Sequence, residues 1–244
     1  MNGFPPDPPA VVGHRGAAGL APENTLCAIR RAAAAGVGAV EFDVRITADG
    51  EIVLMHDETV DRTTDGSGAV HRMALDEIRR LDAGAWYGPG FAGEPVPGLA
   101  DAIRLLDETG LAANIEIKAS TGHAAATVER LTAVVRAHWP DGKAPPLLTG
   151  FGRETMQALA SHAPDLPRGL LADRLPADWR ALVGAWGCRA VHLGAAGLAA
   201  REITAVHEAS LPLLVWTVND RDQARALFAA GVDGVFTDRP DLVP

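Results

Sequence analysis

Residues 39–45 read Ala39-Val40-Glu41-Phe42-Asp43-Val44-Arg45, and residues 114–118 read Asn114-Ile115-Glu116-Ile117-Lys118. Successive side chains of a strand point to opposite faces, so Glu41 and Asp43 share one face while Val40, Phe42 and Val44 share the other. The second stretch repeats the division, with Glu116 and Lys118 opposite Ile115 and Ile117. In a closed barrel the apolar sets pack under helices and the carboxylates converge inside, near the rim where barrel enzymes build their sites.

The rest of the chain agrees with that reading. Short apolar runs at 11–14, 39–45, 113–118, 147–150, 168–171, 190–193, 213–218 and 234–237 alternate with amphipathic stretches at 25–35, 99–109, 124–138, 154–162, 177–185, 201–209 and 220–230. Strands alternating with helices specify a parallel sheet, and with eight strands the expected fold is the TIM (β/α)8 barrel. A doubly wound open sheet is the alternative. At 244 residues the chain fits one such barrel domain. One segment breaks the rhythm after the second strand: an extended piece at 51–55, turn residues at 63–68, a short helical stretch near 75–81 and the Gly/Pro/aromatic run 85–91. It reads as an insertion over about 57–98, on the face that carries active-site loops and too small to own a core. Ala35-Gly36 and Ala230-Gly231 each end a helix on a glycine suited to the left-handed C′ position. Asn24 or Thr25 is the natural N-cap of the first helix.

The net charge of −9 argues against nucleic acid as a partner, although a small phosphorylated ligand needs only a local basic spot. Lys118 and Lys143 are the two lysines among 22 basic residues, which draws attention to a lysine inside a strand. Cys27 and Cys188 suit buried reduced thiols rather than a disulfide framework. The Pro-rich start lacks a basic segment followed by an apolar core, and no run of about 18 uncharged apolar residues occurs. A cytoplasmic location without stable membrane association is therefore expected. The sequence specifies no oligomeric state.

Buried carboxylates are costly unless paired or bound to metal. Glu41, Asp43 and Glu116 on neighbouring strands make a hard-oxygen site suited to Mg²⁺ or Ca²⁺. His14-Arg15-Gly16 ends the first strand: Arg15 can offer a planar fork to a phosphate, and Gly16 lets backbone approach a ligand closely. His56 closes the extended piece that follows the carboxylate strand. Two histidines titrating near neutrality can serve as general acid and base. Trp216 can wall a substrate pocket or pack in the barrel. His123, His138, His162 and His207 suit solvated surfaces, whereas His71 and His192 are ambiguous.

Taken in order, Gly13-His14-Arg15-Gly16, Ala21-Pro22-Glu23-Asn24-Thr25, Glu41-Phe42-Asp43-Val44, Asp49-Gly50, His56-Asp57, Asp61-Arg62-Thr63-Thr64, Asn114-Ile115-Glu116-Ile117-Lys118, Trp216-Thr217-Val218-Asn219 and Thr237-Asp238-Arg239-Pro240 resemble the glycerophosphodiester phosphodiesterase family. The likeness is greatest to its cytoplasmic bacterial members. The resemblance implies a TIM barrel and hydrolysis of glycerophosphodiesters to sn-glycerol 3-phosphate and an alcohol. It implies Glu41, Asp43 and Glu116 as divalent-metal ligands and His14 and His56 as the acid–base pair. Arg15 and Lys118 would hold phosphate. Thr149-Gly150-Phe151 departs from the serine-rich version expected after the fourth strand. A route through a cyclic phosphate, made by the substrate's own 2-hydroxyl, is expected because a tethered nucleophile acts at high effective concentration. The rival readings are a lysophospholipase D-like enzyme on the same barrel, a non-catalytic phosphodiester-binding barrel and a metal-dependent sugar isomerase.

Overall fold

The structure, a computed structural model, describes residues 10–243. Strands β1 (Ala10–Gly13), β2 (Ala39–Ile46), β4 (Ala112–Ile117), β5 (Leu147–Thr149), β6 (Arg168–Ala172), β7 (Cys188–Gly194), β8 (Leu213–Trp216) and β9 (Gly234–Thr237) pair in parallel. Strand β1 bonds to both β9 and β2, which closes the sheet and excludes the open doubly wound arrangement. Helices α1 (Leu26–Ala34), α3 (Leu99–Thr109), α4 (Ala124–His138), α5 (Arg153–His162), α6 (Trp179–Trp186), α7 (Ala200–Glu208) and α8 (Arg221–Ala229) connect the strands. No helix among the described residues is long and apolar enough to cross a membrane.

The alternation along β2 decides which layer each side chain enters. Val40, Phe42 and Val44 join the large apolar cluster between strands and helices, where Ile29 of α1 and Leu99, Ile103 and Leu106 of α3 also lie. Those α3 positions recur at helical spacing, so one face of the helix is buried, and Gly110 ends it in the left-handed conformation at φ 72°. Inside the barrel, Val12, Ala39, Leu147, Ala190, Leu214 and Phe236 form a separate small apolar layer. Side chains further along the same inner faces stand above that layer. Residues Ala39, Glu41, Asp43 and Arg45 of β2 therefore climb from an apolar floor to a polar rim.

Between β2 and α3 the chain leaves the α/β alternation. Strand β3 (Ile52–Leu54) folds back antiparallel on β2, pairing Val44 with Leu54, so the departure begins ahead of residue 57. A one-turn 3₁₀ segment at Val70–Arg72 and the short helix α2 (Leu75–Ile78) follow. Contrary to expectation, this segment owns a small core: Val53, Met55, Val60, Val70, Ile78, Ala83 and Val96 bury one another. Cys188 is buried as expected, whereas Cys27 is half-buried on α1; both are free thiols.

The loop from β1 to α1 shows why its glycines are required. Thr25 caps α1, its hydroxyl accepting from the Ala28 amide at 3.1 Å, while Asn24 takes a left-handed φ of 57° and is used elsewhere. Gly16, at φ 84°, lies so close to α1 that a Cβ would meet the Ala28 backbone at 2.6 Å. The glycine is thus required by the close approach of the loop to the helix. A Gly16→Ala protein is expected to lose about 1–3 kcal/mol, from strain at a left-handed position and from that clash. Urea unfolding checks this, and an unchanged midpoint would contradict the packing.

Candidate active site

The parallel register of β2 with β4 sets Asp43 beside Glu116 and Glu41 beside Asn114. Because both strands keep these residues on the inner face, Glu41, Asp43 and Glu116 meet, with one carboxylate oxygen of each within 4.8 Å of the others. All three are buried. Lys118 Nζ lies 2.5 Å from Glu116 Oε1 and 3.5 Å from Asp43 Oδ1, and Arg15 Nε lies 3.4 Å from Asp43 Oδ2. Two cations thus face three carboxylates.

The imbalance is visible in the individual groups. Burial and then the Asp43 charge push the Glu41 carboxyl well above its ordinary range. Glu116 is raised for the same reasons, in the same order. Burial also acts to raise Asp43, but the Lys118 and Arg15 charges outweigh it and hold this carboxyl low. Glu41 Oε1 is buried with no hydrogen-bond partner among the described residues, although Glu41 Oε2 accepts from the Arg15 amide at 3.0 Å. Arg15 reaches that position through a left-handed φ of 50°, the kind of strained backbone that concentrates at functional sites. Three hard oxygen donors, one of them orphaned, fit a divalent cation such as Mg²⁺ or Ca²⁺.

Each candidate catalytic histidine is oriented by a carboxylate. His14 Nδ1 lies 2.6 Å from Asp238 Oδ1, at the end of β9, and His56 Nδ1 lies 2.6 Å from Asp57 Oδ1. An ionised carboxylate only accepts, so each Nδ1 carries the hydrogen and each Nε2 is left to exchange protons. His14 Nε2 stands 4.0 Å from Glu41 Oε2. Burial acts to lower the His14 pKa, yet the Asp238 hydrogen bond and the Glu41 charge raise it overall. His56 is held below 6.5, burial prevailing over Asp43 and Asp57.

A cavity of about 250 Å³ joins these groups. His14, Arg15, Glu41, His56, Glu116 and Lys118 make its polar side, and Phe151, Leu171, Trp216 and Phe236 its apolar side. Trp216 therefore stands in the cavity wall. Phe151 meets it edge-on with ring centroids 5.6 Å apart, and the Lys118 ammonium sits 5.3 Å from the Phe151 centroid. Trp216 Nε1 is a buried donor with no partner among the described residues. His192, ambiguous in sequence, lines the same cavity and packs on Phe236, and burial pushes its pKa down to about 3. Of the other histidines, His71 and His123 meet outside the cavity lining with tilted rings at a centroid distance of 5.1 Å, and His207 bonds Asp233.

All eight sequence-derived site residues thus line or adjoin one cavity. Sequence reasoning missed the groups that hold them. Asn24 brackets Asp43, its amide nitrogen donating to Oδ2 at 2.9 Å and its oxygen accepting from the Asp43 amide at 3.0 Å. Arg45 donates to the His56 and Lys118 carbonyls, joining β3 to the end of β4. Arg45 shares the inner face with Glu41 and Asp43, a parity signal present in the sequence. Asp57 directly follows His56, and Asp238 follows the last strand.

The model of the glycerophosphoryl diester phosphodiesterase family matches residues 14–242. A glycerophosphodiester phosphodiesterase of Caldanaerobacter subterraneus subsp. tengcongensis is 32% identical over 96% of this chain and 95% of its own length. One from Bacillus subtilis is 31% identical over 99% of this chain and 87% of its own. An Oleispira antarctica phosphodiesterase, solved in complex with the product sn-glycerol-3-phosphate, superposes with a TM-score of 0.92 at 32% identity, covering 96% of this chain and 94% of that one. A glycerophosphodiester phosphodiesterase from Agrobacterium tumefaciens superposes at 0.79 with 31% identity, covering 95% and 97%.

If the carboxylates make a cation site, Glu41→Gln should have opposite effects with and without metal. Glu41's pKa is raised in the folded state, so its ionisation erodes metal-free stability as pH climbs above 4.5. In EDTA at pH 8 the Gln variant should melt higher than wild type, and the upward shift that Mg²⁺ or Ca²⁺ gives wild type should vanish. Thermal melts test both; equal metal-induced shifts in the two proteins would refute the site.

Proposed function

Because the chain belongs to the glycerophosphoryl diester phosphodiesterase family, we propose that it hydrolyses glycerophosphodiesters to sn-glycerol 3-phosphate and an alcohol, using a divalent cation and the histidine pair His14 and His56. The observation that carries this reading is the meeting, around one cavity, of two carboxylate-oriented histidines and the Glu41, Asp43 and Glu116 cluster. We further read it as one barrel domain acting on a small molecule in the cytoplasm, without nucleic acid or stable membrane association.

Glu41, Asp43 and Glu116 would hold the cation, which supplies Lewis-acid stabilisation of charge on phosphoryl oxygens. Arg15 and Lys118, already at the cavity wall, add positive charge to the same oxygens. In the first step the substrate's glycerol 2-hydroxyl attacks phosphorus and gives its proton to the Nε2 of one histidine. The bond from phosphorus to the leaving alcohol breaks, and the second histidine protonates that oxygen. The product is a cyclic phosphate with both histidines changed by one proton. Water then opens the ring with the roles reversed, which restores both histidines and releases sn-glycerol 3-phosphate. Asp57 and Asp238 keep each Nε2 directed at its work. Trp216 offers to a substrate oxygen its indole N–H, which has no partner among the described residues, and Phe151 covers the alcohol's carbon chain.

Release of glycerol 3-phosphate from glycerophosphocholine tests the reading. His14→Ala and His56→Ala are each expected to lower kcat by about 10²–10⁴-fold, and EDTA to abolish turnover until Mg²⁺ or Ca²⁺ is restored. Full activity in EDTA or in either variant would contradict it. A substrate lacking the 2-hydroxyl is expected to resist cleavage; equally fast cleavage would replace the cyclic route by direct attack of water.

A further inference from the structure

Asp61-Arg62-Thr63-Thr64 stands out in the sequence, yet the chemistry above assigns it nothing. In the structure Arg62, on the insertion, grips two carboxylates at once. Its Nε donates to Asp57 Oδ2 at 2.6 Å and its Nη2 to Asp57 Oδ1 at 3.2 Å. The other edge donates from Nη1 to Glu23 Oε2 at 2.9 Å and from Nη2 to Glu23 Oε1 at 2.8 Å. The two carboxylates have different duties. Asp57 orients His56 through the 2.6 Å bond to Nδ1. Glu23 accepts from Arg15 Nη1 at 2.7 Å, the guanidinium that faces the cavity and Asp43.

We propose that Arg62 is a positioning residue: by clamping Asp57 and Glu23 together it sets the proton-transferring His56 and the phosphate-binding Arg15 in register across the cavity. The chain of contacts runs His56–Asp57–Arg62–Glu23–Arg15, from the insertion to the loop after β1, with no covalent path shorter than 39 residues between Glu23 and Arg62. A guanidinium is suited to this because its planar fork can serve one carboxylate on each of two edges, which a lysine ammonium cannot. Stability is not the purpose. The Arg62 side chain is 46% exposed, and ion pairs at such sites contribute little to folding. Its value lies in geometry, since a displacement of about 1 Å among reacting groups can cost about 10²-fold in rate. The arrangement also gives the insertion a duty beyond covering the barrel, since it supplies the residue that aligns two sides of the site.

This inference rests on the function proposed above, and the experiment separates the two. Wild type, Arg62→Ala, Arg62→Lys and His56→Ala are compared for glycerophosphocholine hydrolysis in saturating Mg²⁺, and the His56 imidazole is titrated by NMR in the first three. Both Arg62 variants are expected to fold and to lose about 10- to 100-fold in kcat/KM, the Lys variant included because it keeps the charge without the fork. Arg62→Lys keeps the positive charge but loses the fork, so a shift of its His56 titration from the wild-type value reports the loosened Asp57–His56 alignment and not a change of charge. Arg62 variants within about twofold of wild type, or a His56 titration in Arg62→Lys equal to that of wild type, would overturn the inference. If His56→Ala kept full activity, the histidine pair itself would fail, whatever Arg62 does.

Discussion

Three carboxylates buried on two adjacent strands set the terms for everything else in this molecule. Glu41, Asp43 and Glu116 meet because β2 and β4 are paired in the register that aligns Asp43 with Glu116. Slipping that register by one residue would carry the carboxylates into the helix layer and the apolar side chains into the cavity. The packing of Val40, Phe42, Val44, Ile115 and Ile117 against the helices therefore fixes the site as firmly as it fixes the core.

Such a cluster is unfavourable on its own, and the neighbouring groups respond to it. Lys118 and Arg15 neutralise part of the charge, Asn24 brackets Asp43 with two hydrogen bonds, and the Arg15 amide serves one oxygen of Glu41. The remaining Glu41 oxygen is left without a partner among the described residues. A divalent cation would supply what these residues do not, and the same field acts on the histidines. His14 is drawn toward its protonated form by Asp238 and Glu41 against the effect of burial, whereas for His56 burial prevails. Two imidazoles with opposite tendencies, each fixed in tautomer by a carboxylate, are suited to exchanging protons in opposite directions.

Much of this was legible in the sequence. Period-two alternation marked the strands, and the carboxylates on the non-aliphatic face of two of them marked the cavity, because alternation alone decides which side chains a barrel encloses. Eight alternating units left closure as the natural end. The glycine after α1 and after α8 was legible too, with Gly36 and Gly231 at φ 84° and 99°. Features that depend on distant loops converging were not legible. Asp238 lies 224 residues from the histidine it orients, and Arg62 bridges segments whose proximity no local pattern encodes. The packing of Gly16 was hidden for the same reason: its neighbour is α1, which only the folded chain brings against it. The core of the insertion escaped notice because seven scattered apolar residues carry no period.

The central claim is that Glu41, Asp43 and Glu116 jointly hold a divalent cation. Anomalous diffraction from crystals grown with Mn²⁺, a spectroscopically visible substitute for Mg²⁺, tests it most directly. One strong peak is expected among the three carboxylates, with oxygens of all three at coordination distance and Glu41 Oε1 among them. A Mn²⁺ peak elsewhere, with this cluster held together by Lys118 and Arg15 alone, would contradict the account.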